Sequence, residues 1–210
     1  MDKLQSISLD DLYYLGNRNY IQGGTIYELL LPRILHIFSA PTNLDFTYRS
    51  IIQKNLIFLN KQQEDKEIKI VMKLEDRDKK YKFYGYHKED SPIIQERISY
   101  DEEEILKTAI INQNNIFLNH FIGKDISVVR YVIAMNKELL NTLFKDEIKD
   151  YKWFLSRLTL DKIINESEIQ EIQLKYCSRF EFQIVKTEIF INQISVGFIY
   201  FSLKRNDYVS

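Results

Sequence analysis

One pattern constrains this chain more than any other: an apolar helical face followed by four strand-like runs, met once and then again. Residues 24–39 carry Ile26, Leu29, Leu30, Ile34 and Ile37 at helical spacing. Pro32 interrupts that face, and a bend is expected there because proline removes a ladder bond. After the break Ala40-Pro41-Thr42-Asn43 come runs rich in Ile, Val, Tyr and Phe at 46–59, 67–75, 80–87 and 93–100, with polar turns between them. Ser99-Tyr100-Asp101-Glu102 then reads as a capping box opening a short helix over 101–111, and Asn112-Gln113-Asn114-Asn115 as a linker. From Ile116 the order returns. A short apolar run ends at His120, and a helix over 127–144 shows Val128, Tyr131, Val132, Met135, Leu139 and Leu143 on one side. Strands are expected at 152–163, 169–176, 179–190 and 194–203. Tyr81-Lys82-Phe83 has its counterpart in Phe180-Glu181-Phe182, each expected to start the same strand of its half. The order of the elements predicts an internal duplication of about 100 residues per half. The repeats are 1–100 and 116–210, joined by a linker helix over 101–115.

Composition narrows the function classes. The 210 residues hold 29 Lys and Arg against 30 Asp and Glu, a formal charge of −1, so no cationic face suits a nucleic-acid backbone. The single cysteine, Cys177, makes neither an intramolecular disulfide nor a zinc site and reads as a small buried hydrophobe. No apolar run is long enough to cross a membrane as a helix and the first thirty residues show no signal-peptide core, which predicts a soluble, cytoplasmic protein without membrane contact. Six glycines and three prolines beside 14 Tyr and 13 Phe suggest long elements joined by polar hairpins. His36 and His87 have no metal-ligand spacing and are assigned structural roles.

The segment Asn119-His120-Phe121-Ile122-Gly123, followed by a polar link and a long apolar helix, resembles the His-Phe-X-Gly motif of the β-hydroxyacyl-acyl-carrier-protein dehydratases. In that family a glycine opens the helix nine positions after the His, and a Glu or Asp follows at the fourteenth. Here those positions are Val129 and Ala134, so the second half has the His alone. In the first half, Gln22-Gly23-Gly24-Thr25-Ile26-Tyr27-Glu28 resembles the helix-opening part, with Gly23 as the glycine and Glu28 as the acid. Tyr14 stands where the His would be. The two halves are damaged in complementary ways. The resemblance implies an α+β, tandem (double) hotdog: two long helices, each wrapped by an antiparallel sheet, sharing one continuous sheet and one surviving site.

What the resemblance implies for chemistry is elimination of water from a 3-hydroxyacyl thioester on acyl carrier protein or coenzyme A, with no cofactor and no metal. His120 would be the base, since an imidazole titrates near neutrality. Glu28 would protonate the departing hydroxyl. Gly23 and Gly24 would offer backbone N–H groups to the thioester oxygen, and Phe121 and Gly123 would border the substrate. A thioesterase is the first alternative, because Gln22-Gly23-Gly24 before an apolar helix is similar to hotdog acyl-CoA thioesterases. Their acid falls where this chain has Leu31, which counts against hydrolysis. A non-catalytic acyl-binding or scaffold protein is the second, since Lys124-Asp125-Ile126-Ser127-Val128-Val129 departs from the family motif. A monomer or a homodimer fits equally.

Overall fold

A computed structural model describes residues 6–121, 126–181 and 183–205. The chain divides into two compact units, Met1–Tyr100 with Thr159–Ile163, and Asp101–Leu158 with Ile164–Ser210.

The first unit contains strands β1 (Ser6–Leu9) and β2 (Tyr14–Leu15), helix α1 (Gly23–Ile37), and strands β3 (Pro41–Tyr48), β4 (Leu56–Leu59), β5 (Ile70–Asp76), β6 (Lys79–His87) and β7 (Arg97–Ile98). Its main sheet runs β1-β4-β6-β5-β3 and is antiparallel throughout. The buried side of α1 is Ile26, Tyr27, Leu30 and Ile34, and the alternating inward residues of the strands include Phe46, Phe58, Met72 and Phe83. Tyr27 meets Phe46 edge to face, with ring centroids 5.7 Å apart.

Several boundaries differ from the sequence expectation. Helix α1 continues through Pro32 to Ile37, and the Arg33 guanidinium donates to the Leu29 carbonyl three residues before the proline. The run 46–59 is not one strand. After Tyr48 the chain leaves the sheet and bonds to the segment preceding α1, the Ile21 N–H donating to the Ile52 carbonyl (2.8 Å) and the Gln53 side chain to the Asn19 carbonyl (2.9 Å). The run 93–100 forms only the two-residue β7, which pairs in parallel with β2. Apolar alternation marks extended backbone, but whether it becomes sheet depends on a partner distant in sequence.

The second unit contains helix α2 (Glu102–Leu106), strands β8 (Ile110–Asn112) and β9 (Asn115–Leu118), helix α3 (Val128–Leu143), strand β10 (Tyr151–Lys162) as far as Leu158, and strands β11 (Ile172–Phe180), β12 (Ile184–Ile191) and β13 (Ile194–Arg205). The strand order is β10-β13-β12-β11-β9-β8. The short helix ends earlier than 111, and its cap is Asp101 rather than Ser99: the Asp101 carboxylate accepts from the Glu103 and Glu104 N–H groups. The segment 112–115 is the tight turn of the β8–β9 hairpin, with Asn112 opposite Asn115. Helix α3 is buried on nearly every side in its first half, through Val128, Val129, Tyr131, Val132, Ile133, Ala134, Met135 and Asn136.

Two further expectations fail around residue 180. Cys177 is exposed, because the β11–β12 register shifts between Tyr176 and Ser178 and leaves it as the extra residue of a bulge. Phe180 ends β11 and Glu181 lies in the turn, whereas Tyr81-Lys82-Phe83 lies within β6, so the expected correspondence does not hold; Phe182 falls outside the described residues. Among the described residues no helix is long and apolar enough to cross a membrane.

Candidate active site

The start of α1 is held from three directions. Gly16 turns the chain with φ +57°, its N–H donating to the Ile98 carbonyl at 2.9 Å, and a Cβ there would lie 3.3 Å from the Tyr100 carbonyl oxygen. Arg97 donates to the carbonyls of Gly16 and Arg18, the latter at 2.7 Å, while its guanidinium stands 5.3 Å from the Tyr14 ring centroid. Arg18 in turn lies over Tyr100 (5.5 Å), and the buried Gln22 amide, oriented with its oxygen toward Arg18, accepts from the guanidinium at 2.8 and 3.1 Å. The residues between Tyr14 and Gln22 are thus clamped before the helix begins. Tyr14, at the position the resemblance reserves for a His, is buried, and burial pushes its hydroxyl above the ordinary phenol range while Arg97 pulls the other way.

From the sheet side, the Tyr48 hydroxyl at the end of β3 donates to the Gly23 carbonyl at 3.0 Å. Burial, and secondly the neighbouring Tyr27, push the Tyr48 hydroxyl far above its ordinary range, so it remains a neutral donor. Gly23 is half-buried and Gly24 buried. The helix cap, Gln22, makes no side-chain cap hydrogen bond, and no acidic residue stands in the first turn. Among the described residues, the N-terminus of α1 therefore presents peptide N–H groups and the positive end of the helix dipole without a side-chain cap from Gln22. Glu28 lies half-buried in the second turn, four residues after Gly24 and on its face. Thr25, between them, is completely buried, and its hydroxyl finds no hydrogen-bond partner among the described residues.

The start of α3 is closed by contrast. Ser127 accepts from the Arg130 N–H at 3.4 Å, and the Glu166 carboxylate accepts from the Val128 N–H at 3.1 Å. A carboxylate already occupies the position an incoming anion would take. Beside it a cavity of about 190 Å³ is lined by Phe121, Ile126, Val128, Tyr131, Glu166, Ile169 and Ile172. Phe121 meets Tyr131 edge to face at 5.3 Å. His120 follows β9 on an exposed stretch, where its backbone carbonyl accepts from the Thr108 hydroxyl at 3.0 Å. Gly123 lies outside the described residues.

Of the residues singled out in the sequence, Gly23, Gly24 and Glu28 thus come together on one helix start of the first unit. His120 and Phe121 belong to the second. Sequence reasoning missed Thr25, Tyr48 and Glu166. Thr25 sat inside the quoted segment, and its signal was a hydroxyl in an otherwise apolar turn; Tyr48 and Glu166 act across the tertiary structure and left no local signal. The second unit holds further buried polar atoms without a partner among the described residues: both ends of the Asn136 amide, Thr187 Oγ1 and Trp153 Nε1. Among the described residues no three His, Cys, Asp or Glu side chains gather into a metal-binding group.

No family model matches this sequence, and no curated protein does. Solved structures do resemble it. The dehydratase domain of PpsC from Mycobacterium tuberculosis, in complex with C12:1-CoA, superposes with a TM-score of 0.51 at 8% identity, over 94% of this chain and 87% of that one. The pyran synthase domain from module nine of the sorangicin pathway superposes with a TM-score of 0.51 at 8% identity, over 98% and 95% of the two chains. The polyketide synthase dehydratase domains among these similar structures have the hotdog fold, and the chain shares it: an α+β architecture with extensive antiparallel sheet and few helices.

Proposed function

We propose that the chain is a tandem pair of hotdog repeats, residues 1–100 and 116–210 joined by 101–115, that eliminates water from a 3-hydroxyacyl thioester carried on phosphopantetheine. The observation that carries this reading is the start of α1, a helix N-terminus at Gly23-Gly24 whose Gln22 makes no side-chain cap, with Glu28 one turn further in. Negative charge develops on the thioester oxygen as the α-proton leaves, and preorganised N–H groups at a helix start stabilise it. The closed start of α3 makes α1 the better of the two helix starts for that task.

In this mechanism the His120 imidazole takes the proton from C2 of the acyl chain. The electron pair released forms the C2–C3 double bond as the C3–O bond breaks. Glu28 gives its proton to the departing hydroxyl, which leaves as water. The elimination is redox-neutral, and it restores the enzyme once His120 has lost its proton and Glu28 has regained one. Phe121 and Gly123 would border the acyl chain. The similar dehydratase domain bound to an acyl-CoA supports a thioester as the substrate class.

The test is hydration of a crotonyl thioester by the purified protein. His120→Ala and Glu28→Gln are each expected to lower kcat/KM by about 100-fold or more, the usual contribution of a positioned acid or base. Turnover indifferent to both substitutions sinks the pair. Release of free thiol in place of the hydrated thioester would mean hydrolysis instead.

A further inference from the structure

Thr25 occupies the third position of α1, is 0% exposed, and its Oγ1 has no hydrogen-bond partner among the described residues. A hydroxyl withdrawn from water is almost always given a replacement partner. Within a helix the usual one is the carbonyl three or four residues back, here that of Gln22 or Ile21, and Thr25 makes neither bond. A valine would fill the same volume without stranding an oxygen, in a turn whose neighbours Ile26 and Tyr27 are also buried. Position adds a second constraint. Thr25 follows Gly24 directly and precedes Glu28 by three residues, and residues three or four apart share a helix face. Gly24 and Thr25, four and three residues before Glu28, therefore each share a helix face with it.

We infer that the Thr25 hydroxyl is a substrate-binding group that hydrogen-bonds the 3-hydroxyl of the acyl thioester, an inference that rests on the dehydratase reading. The Gly24 N–H serves the thioester oxygen and Glu28 the departing hydroxyl, and Thr25 holds that hydroxyl in place. Substrate thus supplies the partner that the free protein withholds. A site built this way discriminates strongly against an analogue lacking the hydroxyl, because the analogue leaves the buried oxygen unpaired.

The experiment titrates 3-hydroxybutyryl-CoA and butyryl-CoA by calorimetry into the His120→Ala protein, so that ligand is not consumed, with and without Thr25→Val or Thr25→Ser. Thermal midpoints are recorded for each form. The parent is expected to favour the hydroxylated ligand by at least about tenfold. Thr25→Val is expected to abolish that preference while melting no lower than the parent, and Thr25→Ser to retain it. A valine variant that keeps the preference overturns the assignment, as does one that melts clearly lower, since the hydroxyl would then have a partner inside the protein. Failure of the dehydratase reading looks different: the unmodified chain would hydrate no crotonyl thioester, and no form would bind either ligand.

Discussion

His87, at the end of β6, shows how a single side chain takes its character from its surroundings. Desolvation first, then the positive charges of Lys69 and Lys54, lower its pKa from 6.5 to about 4, with Glu67 opposing. Its Nε2 accepts the Gln53 N–H at 3.4 Å, which the neutral ring alone can do. Above pH 6.5 neither the folded nor the unfolded chain protonates this ring, and stability is unaffected. Between pH 6.5 and about 4 the unfolded chain binds a proton that the folded chain declines, so stability falls as pH falls. Asp10, Glu67 and Glu75, whose carboxyls are held below their ordinary values chiefly by hydrogen bonds from Lys88, Lys69 and Asn43, lose their contributions only lower down. His87→Gln should therefore flatten the upper part of the acid limb when urea unfolding is followed against pH. An unchanged slope there would show that the ring titrates normally in the folded state. The sequence placed His87 in a structural role by exclusion. Its neutral state follows from burial and from charged neighbours just before β5 and on the loop after β3.

Elements differ in how much of their definition is local. Helix α3 was expected over 127–144 and is found at Val128–Leu143, because sixteen residues of 3.6-fold apolar spacing carry their own signal. Ser127, expected as its first residue, is its cap instead. Strands were less legible, since each needs a partner: β7 keeps two of eight expected residues, and β11 runs on past Cys177 to Phe180. Packing across strands is sharper still. Gly85 on β6 stands opposite Phe58 on β4 and Ile70 on β5, and a Cβ there would fall onto Ile70 Cγ2 and within 3.0 Å of Phe58 Cε1. Nothing near Gly85 in the sequence marks it as the point where two large side chains converge. Gly85→Ala is expected to destabilise the protein by about 1–3 kcal/mol, the usual cost of overpacking, measured as a shift in the urea midpoint. A change under about 0.5 kcal/mol, the level of a surface substitution, would show that Ile70 and Phe58 yield freely.

On the scale of the whole molecule, the dehydratase reading draws on both units, His120 from one and Glu28 from the other. Two groups that serve one chemical step are not independent. The His120→Ala, Glu28→Gln double variant is therefore expected to lose little more activity than the worse single variant. Losses that multiply across the two sites would mean the residues act separately, and the kcat/KM values of the three variants decide it. What the sequence by itself determined is the α+β class, the apolar helical faces of α1 and α3, the strand-rich runs after each, and the Gly23-Gly24 to Glu28 spacing. These rest on periodicity and on distances of a few residues, which the covalent chain dictates. Only the tertiary structure decided that Cys177 faces solvent, that the Glu166 carboxylate accepts from the start of α3 while Gln22 makes no side-chain cap on α1, and that the Thr25 hydroxyl is buried without a partner among the described residues. Each of these depends on which distant backbone and side-chain groups are brought within hydrogen-bonding distance, and chain-local patterning does not encode that.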